Sequence, residues 1–205
     1  MFKDMTLRQF VDDTSSSKPA PGGGSVAALV GANGASLIAM LCNLTVNKKG
    51  YEEHWQKMSD VAKRCAQTAQ DLLEFIDKDC AAFEEYMSAL KMPKDTSEQA
   101  EARKAKLDLA VLNATNVPLS LAKTAAQLFE CADYAVTYGN KMALSDGAIA
   151  VLLLKDAVKS ALYNVKINLP GIKDEALHND IAKQVEDLEN LAQQKAEEIL
   201  RKVNL

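Results

Sequence analysis

The sequence predicts an all-α fold, a single-domain helical bundle with long central helices over residues 1–205. Three observations carry this reading. Apolar residues recur every three or four positions along nearly the whole chain. Nowhere do β-branched and aromatic residues alternate over a useful length. Capping boxes, prolines and glycines punctuate the periodic stretches. A globule of 205 residues can bury roughly 70% of its unfolded surface, so its core needs neither a disulfide nor a structural metal.

Thr6 and Gln9 form a capping box for a short first helix that ends before Ser15-Ser16-Ser17. After the loop Lys18-Pro19-Ala20-Pro21-Gly22-Gly23-Gly24, a second helix is predicted from Ser25 to Thr45. Its small residues Ala28, Gly31, Ala35, Ala39 and Cys42 repeat at helical spacing and form a flat strip, with Val26, Val30, Leu37, Leu41 and Leu44 opposite. A third helix, Tyr51 to Leu90, carries a stripe including Met58, Cys65, Leu72, Ile76, Cys80, Phe83 and Met87, and Pro93 closes the segment. Thr96 and Gln99 open a fourth helix that runs to about Thr115. Pro118 then either starts a fifth helix or kinks a continuous one. Gly139 suits a helix C-terminus. An apolar sixth helix spans Gly147 to Leu169, and a seventh, rich in Glu, Lys and Gln, spans Asp174 to Val203 on the surface.

Composition narrows the function. A net charge of −4 with 5% aromatic residues offers neither the basic patch nor the stacking platform of a nucleic-acid binder, so no nucleic-acid partner is expected. No charge falls between Lys18 and Lys48, and Ser25 to Val46 is long enough to cross a bilayer. Asn33, Asn43 and several Gly and Ser residues instead favour a helix buried on all sides in a soluble core, with no membrane partner. Cys42, Cys65, Cys80 and Cys131 show no C-x-x-C spacing, which fits small buried hydrophobes in a reducing, cytoplasmic setting. The N-terminus lacks the basic and apolar regions of a signal peptide. His54 and His178 sit among charged residues, so a histidine-based metal site or triad is not expected.

The chemistry then rests on carboxylates, amides and one glycine turn. Gly22-Gly23-Gly24 frees the backbone, Ser25 can cap the helix that follows, and N–H groups at a helix start attract an anion or polar edge. A ligand-free connector fits the same pattern. Asp79 projects within about 60° of Ile76, inside the apolar stripe of the third helix. There a carboxylate must be paired, hydrogen-bonded or raised in pKa. Asp77 falls on the flank near Leu73 and Glu84. Asn43 lies on the apolar second helix and needs partners. Lys48, Lys49 and Tyr51 join the second helix to the third. Asn140, Ser145 and Asp146 precede the apolar sixth helix, which Ser145 or Asp146 could cap. Asn164 and Asn168 share one face, where their amides could lock helices together or read a heterocycle.

Taken in order, Pro19-Ala-Pro-Gly-Gly-Gly-Ser25-Val-Ala-Ala-Leu, Asn43-Leu-Thr, Lys48-Lys49-Gly-Tyr51, Asp77-Lys-Asp79-Cys-Ala-Ala-Phe83, Val117-Pro118-Leu, Gly139-Asn140, Ser145-Asp146 and Asn164-Val-Lys-Ile-Asn168-Leu closely resemble the cyclodeaminase/cyclohydrolase domain of the formiminotransferase-cyclodeaminase family. The resemblance covers about Thr6 to Leu169, with Asn33 standing where an apolar residue is expected. It implies a homodimeric helical enzyme acting on a tetrahydrofolate derivative, whose tail can be polyglutamylated, with no metal and no cofactor beyond that substrate. Two reactions are implied. Formimidoyltetrahydrofolate cyclodeaminase closes 5-formiminotetrahydrofolate to 5,10-methenyltetrahydrofolate with loss of ammonia, and is placed first. Methenyltetrahydrofolate cyclohydrolase opens the methenyl ring with water to 10-formyltetrahydrofolate. The resemblance assigns proton transfer and charge stabilisation to Asp79, with Asp146 second. It gives substrate contacts to Gly22, Gly23, Gly24, Ser25, Asn43, Tyr51, Asp77, Asn140, Ser145, Asn164 and Asn168, and the glutamate tail to Lys48 and Lys49. A non-catalytic folate-binding or assembly module is the alternative class, and a purely structural helical dimer the third.

Overall fold

The computed structural model describes residues 1–204. Its helices are α1 (Leu7–Thr14), α2 (Gly23–Asn43), α3 (Trp55–Leu90), α4 (Ser97–Ala126), α5 (Phe129–Tyr138), α6 (Leu144–Asn168) and α7 (Glu175–Leu200). Short 3-10 turns stand before α1, α3 and α6 and after α6, and no strand occurs among the described residues. Both predicted capping boxes form: Thr6 with Gln9 opens α1, and Thr96 with Gln99 opens α4.

Helix α2 lies between α3 and α6, and both neighbours run antiparallel to it: Gly24 meets Asp79 and Gly31 meets Leu72, while Gly23 meets Asn164 and Gly34 meets Ala150. The small-residue strip makes this close approach possible. A Cβ on Gly31 would sit 3.3 Å from Ala157 and 3.5 Å from Leu72, and one on Gly34 would sit 3.2 Å from the Ala150 carbonyl. Leu72, Ile76, Leu154 and Leu162 fill the seams and are almost wholly buried, each stabilising the fold by roughly 1.5–3 kcal/mol. The strip is therefore consumed inside the chain and is not free to meet a second copy. Helix α2 is long and apolar enough to cross a membrane, yet it serves here as the core helix. It is not buried on all sides: Asn33, Ser36, Met40, Asn43 and Leu44 remain exposed.

Several boundaries differ from expectation: α3 starts at Trp55 rather than Tyr51 and α6 at Leu144 rather than Gly147, and the differences in α4 and α2 bear on the site. Of the two alternatives at Pro118 the continuous helix is the one that forms: α4 does not stop near Thr115 but runs through Pro118 to Ala126. Proline has no N–H to give the carbonyl four residues back, and the Asn168 side chain donates to that Ala114 carbonyl instead, at 2.8 Å. Helix α2 starts two residues before Ser25, with Gly22 as its N-cap. Gly139 does end α5, in extended backbone, where a Cβ would press on Leu41 at 3.1 Å. All four cysteines are free and buried. Burial pushes the Cys42 thiol up to about 12, whereas a hydrogen bond from Cys65 pulls the Cys131 thiol below its ordinary value.

Candidate active site

A glycine N-cap offers no side-chain acceptor, and the first turn of α2 carries no acid of its own. Asp79 supplies both from the neighbouring helix. The Ser25 hydroxyl donates to its carboxylate at 2.9 Å, and the Ser25 backbone N–H also donates to it. This interaction requires glycine at position 24, because a Cβ there would lie 2.6 Å from the carboxyl carbon of Asp79. Ser25 is thus the third residue of the helix and orients an acid, rather than capping its own helix as the sequence allowed. Its hydroxyl also stands 3.5 Å from the Cys80 sulfur.

Two effects compete at Asp79. Burial disfavours the charged form and raises the carboxyl above its ordinary value, while both hydrogen bonds from Ser25 act in the opposite direction. Burial wins. The result is a half-buried acid held in one orientation and able to keep a proton nearer neutrality than a surface carboxyl can.

This acid opens into a cleft of about 270 Å³ walled by Phe83, Tyr86, Val117, Pro118 and Ile167, with Asn164 and Asn168 as polar edges. A second, broader cleft of about 670 Å³ lies beside it, between the Pro19–Gly23 turn, Val26, Val30 and α6 residues that include Asp156 and Tyr163. Asn164 borders both. Its amide nitrogen is held by the Ser160 carbonyl at 3.0 Å, which leaves the amide oxygen as its acceptor edge. Asn168 has spent one donor on the Ala114 carbonyl, so it locks helices and walls the cleft at once.

The residues singled out from sequence fall into separate places. Gly22, Gly23, Gly24, Ser25, Asp79, Asn164 and Asn168 gather at the N-terminal end of α2. Asn43, Lys48, Lys49, Tyr51, Asn140, Ser145 and Asp146 gather at the other end, about 30 Å away along a 21-residue helix. Asp79 and Asp146 therefore cannot reach one small molecule within a single chain. Asn43 is exposed rather than buried and in want of partners. Neither Ser145 nor Asp146 caps α6: Ala143 precedes it without a side-chain cap, and Asp146 lies in its first turn. Asn140 is buried and fully engaged. Its N–H donates to Thr45 Oγ1 at 2.9 Å, its amide nitrogen donates to the Leu44 carbonyl, and its amide oxygen accepts from Met142. The Tyr51 hydroxyl accepts from the Lys141 N–H. Asp77 leaves the site altogether: it accepts from the Phe2 N–H at 2.6 Å and fastens the N-terminal turn to α3.

Sequence reasoning missed Tyr86, Ile167, Val26, Val30 and Tyr163 as cleft walls. Ile167 and Tyr163 carried one signal, since each is apolar or aromatic beside an asparagine already singled out, and both are exposed at 78% and 60%.

The fold and the cleft define a class of helical proteins in which a half-buried acid is pinned to the glycine-rich start of a core helix. Residues 6–187 match the formiminotransferase-cyclodeaminase family, and the chain belongs to it. It is 37% identical over 183 residues to a methenyltetrahydrofolate cyclohydrolase of Methylorubrum extorquens, covering 89% of this chain and 88% of that protein. It is 35% identical over 182 residues to the formimidoyltransferase-cyclodeaminase of Sus scrofa, covering 89% of this chain but 34% of that one. The chain thus spans about a third of the length of that longer relative. A solved formiminotetrahydrofolate cyclodeaminase from Thermotoga maritima superposes with a TM-score of 0.89 at 27% identity, covering 99% of this chain and 98% of that chain.

Proposed function

We propose that this protein is an enzyme of folate one-carbon metabolism that works on the carbon between N5 and N10 of tetrahydrofolate. The observation that carries the reading is the Asp79 carboxylate, half-buried, oriented by Ser25 and open to a cleft with amide edges. Formiminotetrahydrofolate cyclodeamination is the leading reaction, supported by the near-complete overlap with the Thermotoga enzyme. In it N10 adds to the formimino carbon, the bond from that carbon to the terminal nitrogen breaks, and ammonia leaves with a proton delivered to it. Methenyltetrahydrofolate cyclohydrolysis is the second reading, favoured by the Methylorubrum relative of matching length. Here water adds to the methenyl carbon, the carbon–N5 bond breaks, and N5 receives the proton.

Either reaction needs a group that gives and takes a proton beside a cationic carbon. Asp79 meets both needs, as a carboxylate that stabilises positive charge and as an acid whose carboxyl burial raises above its ordinary value. Proton transfers alone balance both equations, so the reading calls for no metal and no cofactor beyond the folate. The Asn164 amide oxygen and the Asn168 side chain offer the pterin directional partners. Buried free thiols support a cytoplasmic setting.

We further propose a homodimer through the face shared by α2 and α6. Met40, Leu44, Ile149, Leu152 and Tyr163 are all at least 38% exposed along these two helices, and exposed large apolar side chains are what an interface would cover. A two-fold copy laid antiparallel on this face would bring the Lys48, Lys49 and Asp146 end of one chain toward the Asp79 end of its partner. The glutamate tail would then meet lysines across the interface.

The test is turnover of each folate by purified protein. Ammonia release from 5-formiminotetrahydrofolate marks the first reaction, and loss of methenyl absorbance marks the second. Turnover of neither substrate would remove the enzyme reading and leave a folate-binding module. Sedimentation at micromolar concentration giving a stable monomer would remove the dimer.

A further inference from the structure

Away from the Asp79 cleft, a hollow of about 380 Å³ opens where α3, the end of α4, the start of α5 and α7 meet. Arg64 on its rim and Asp79 are 15 residues apart on α3, about 22 Å along that helix. Its floor is apolar, made by Phe129, Leu188 and Leu191, and Leu191 is 40% exposed. Arg64, Lys123 and Lys195 ring this floor with Glu130 among them, and Glu198 and Asp133 stand near Lys195, Asp133 being paired with Lys202. Lys195 is tied to Glu198 at 2.8 Å. Arg64 and Lys123 form no ion pair among the described residues.

We propose that this hollow is a second binding site, for a small amphiphilic anion: a monocarboxylate with an apolar body of about ten carbons. Two features select that class together. The floor and volume suit a compact apolar body, as small-molecule sites of a few hundred Å³ do. The free guanidinium and ammonium at the rim suit one anionic head, since Arg pairs with a carboxylate through two parallel hydrogen bonds. A neutral body would leave both cations unmatched, and a cationic head would be repelled.

Calorimetric titration of the full chain with decanoate, below its micelle concentration and near neutral pH, tests the site. Decanol and decyltrimethylammonium are the controls. The expected result is saturable one-to-one binding of decanoate, at least tenfold tighter than either control. The double variant Arg64→Glu/Lys123→Glu is expected to weaken decanoate at least tenfold, and Leu191→Asp to weaken it comparably, with circular dichroism unchanged. Both changes lie on the surface, and folate turnover is expected to stay within twofold of the unaltered chain. Equal binding of decanoate and decanol overturns the proposal, because the head would then not be read. Unchanged binding by the double variant, or no saturable binding of any probe, overturns it as well.

Discussion

The two ends of α2 are built from similar materials and reach opposite results. At the C-terminal end every polar group of Asn140 and Thr45 finds a partner, and Thr45 Oγ1 both donates to the Leu41 carbonyl and accepts from Asn140. At the N-terminal end a carboxylate is brought into a half-buried place where burial outweighs the two hydrogen bonds that favour its charge. One end spends its polarity on holding loops to the core. The other keeps a polar group in tension beside an open cleft. A satisfied network stabilises a fold, whereas an acid displaced from its ordinary pKa marks a place where protons can be exchanged.

The largest expected effect comes from Asp79→Asn, which keeps the acceptor for Ser25 but removes the group proposed to transfer the proton. Turnover of whichever folate the protein uses should fall at least ~100-fold, while the melting temperature should rise. The sign follows from linkage. The folded carboxyl is raised above its unfolded value, so its contribution to stability is present below the ordinary carboxylate range and lost as pH rises through the folded value. Activity that needs the carboxylate should climb over that same range, so the two pH profiles should run in opposite directions. Parallel profiles would break the contrast between the two ends.

Next in size, Gly24→Ala drives a methyl group into the Asp79 carboxyl and should destabilise by about 1–3 kcal/mol, with a large loss of turnover from the displaced acid. Denaturant melts and initial rates measured on the same preparation would check both. At the opposite end, Thr45→Val leaves the buried Asn140 N–H without an acceptor and should cost about 1–3 kcal/mol. Circular dichroism melts check that loss. Asp77→Asn should be the mildest, loosening the N-terminal turn by about 1 kcal/mol with kcat unchanged within twofold. A hundredfold loss of kcat there would return Asp77 to the chemistry from which its bond to Phe2 removes it.

Most of the fold was legible because helix signals are local. The capping boxes at Thr6 and Thr96, the stripe from Met58 to Cys80 and the Gly139 stop all lie within a few residues of what they determine. The placement of Asp79 in that stripe was legible for the same reason. What failed was long-range. Nothing near Pro118 announces that an amide 50 residues later will satisfy the carbonyl it orphans. Nothing near Asp77 announces the Phe2 backbone. The split of the predicted site into two clusters follows from the antiparallel run of α2 and α6, a tertiary fact that ordered motifs do not encode.

The replacement bond at Ala114 has an effect beyond helix continuity. Because a ring nitrogen in α4 cannot donate, the last turn of α6 is recruited, and the orientation of a cleft-lining amide is governed by a residue that carries no reactive group. Pro118→Ala would restore the native ladder of α4 and release Asn168 to rotate. A substitution that makes the helix more regular would thereby make the recognition surface less defined.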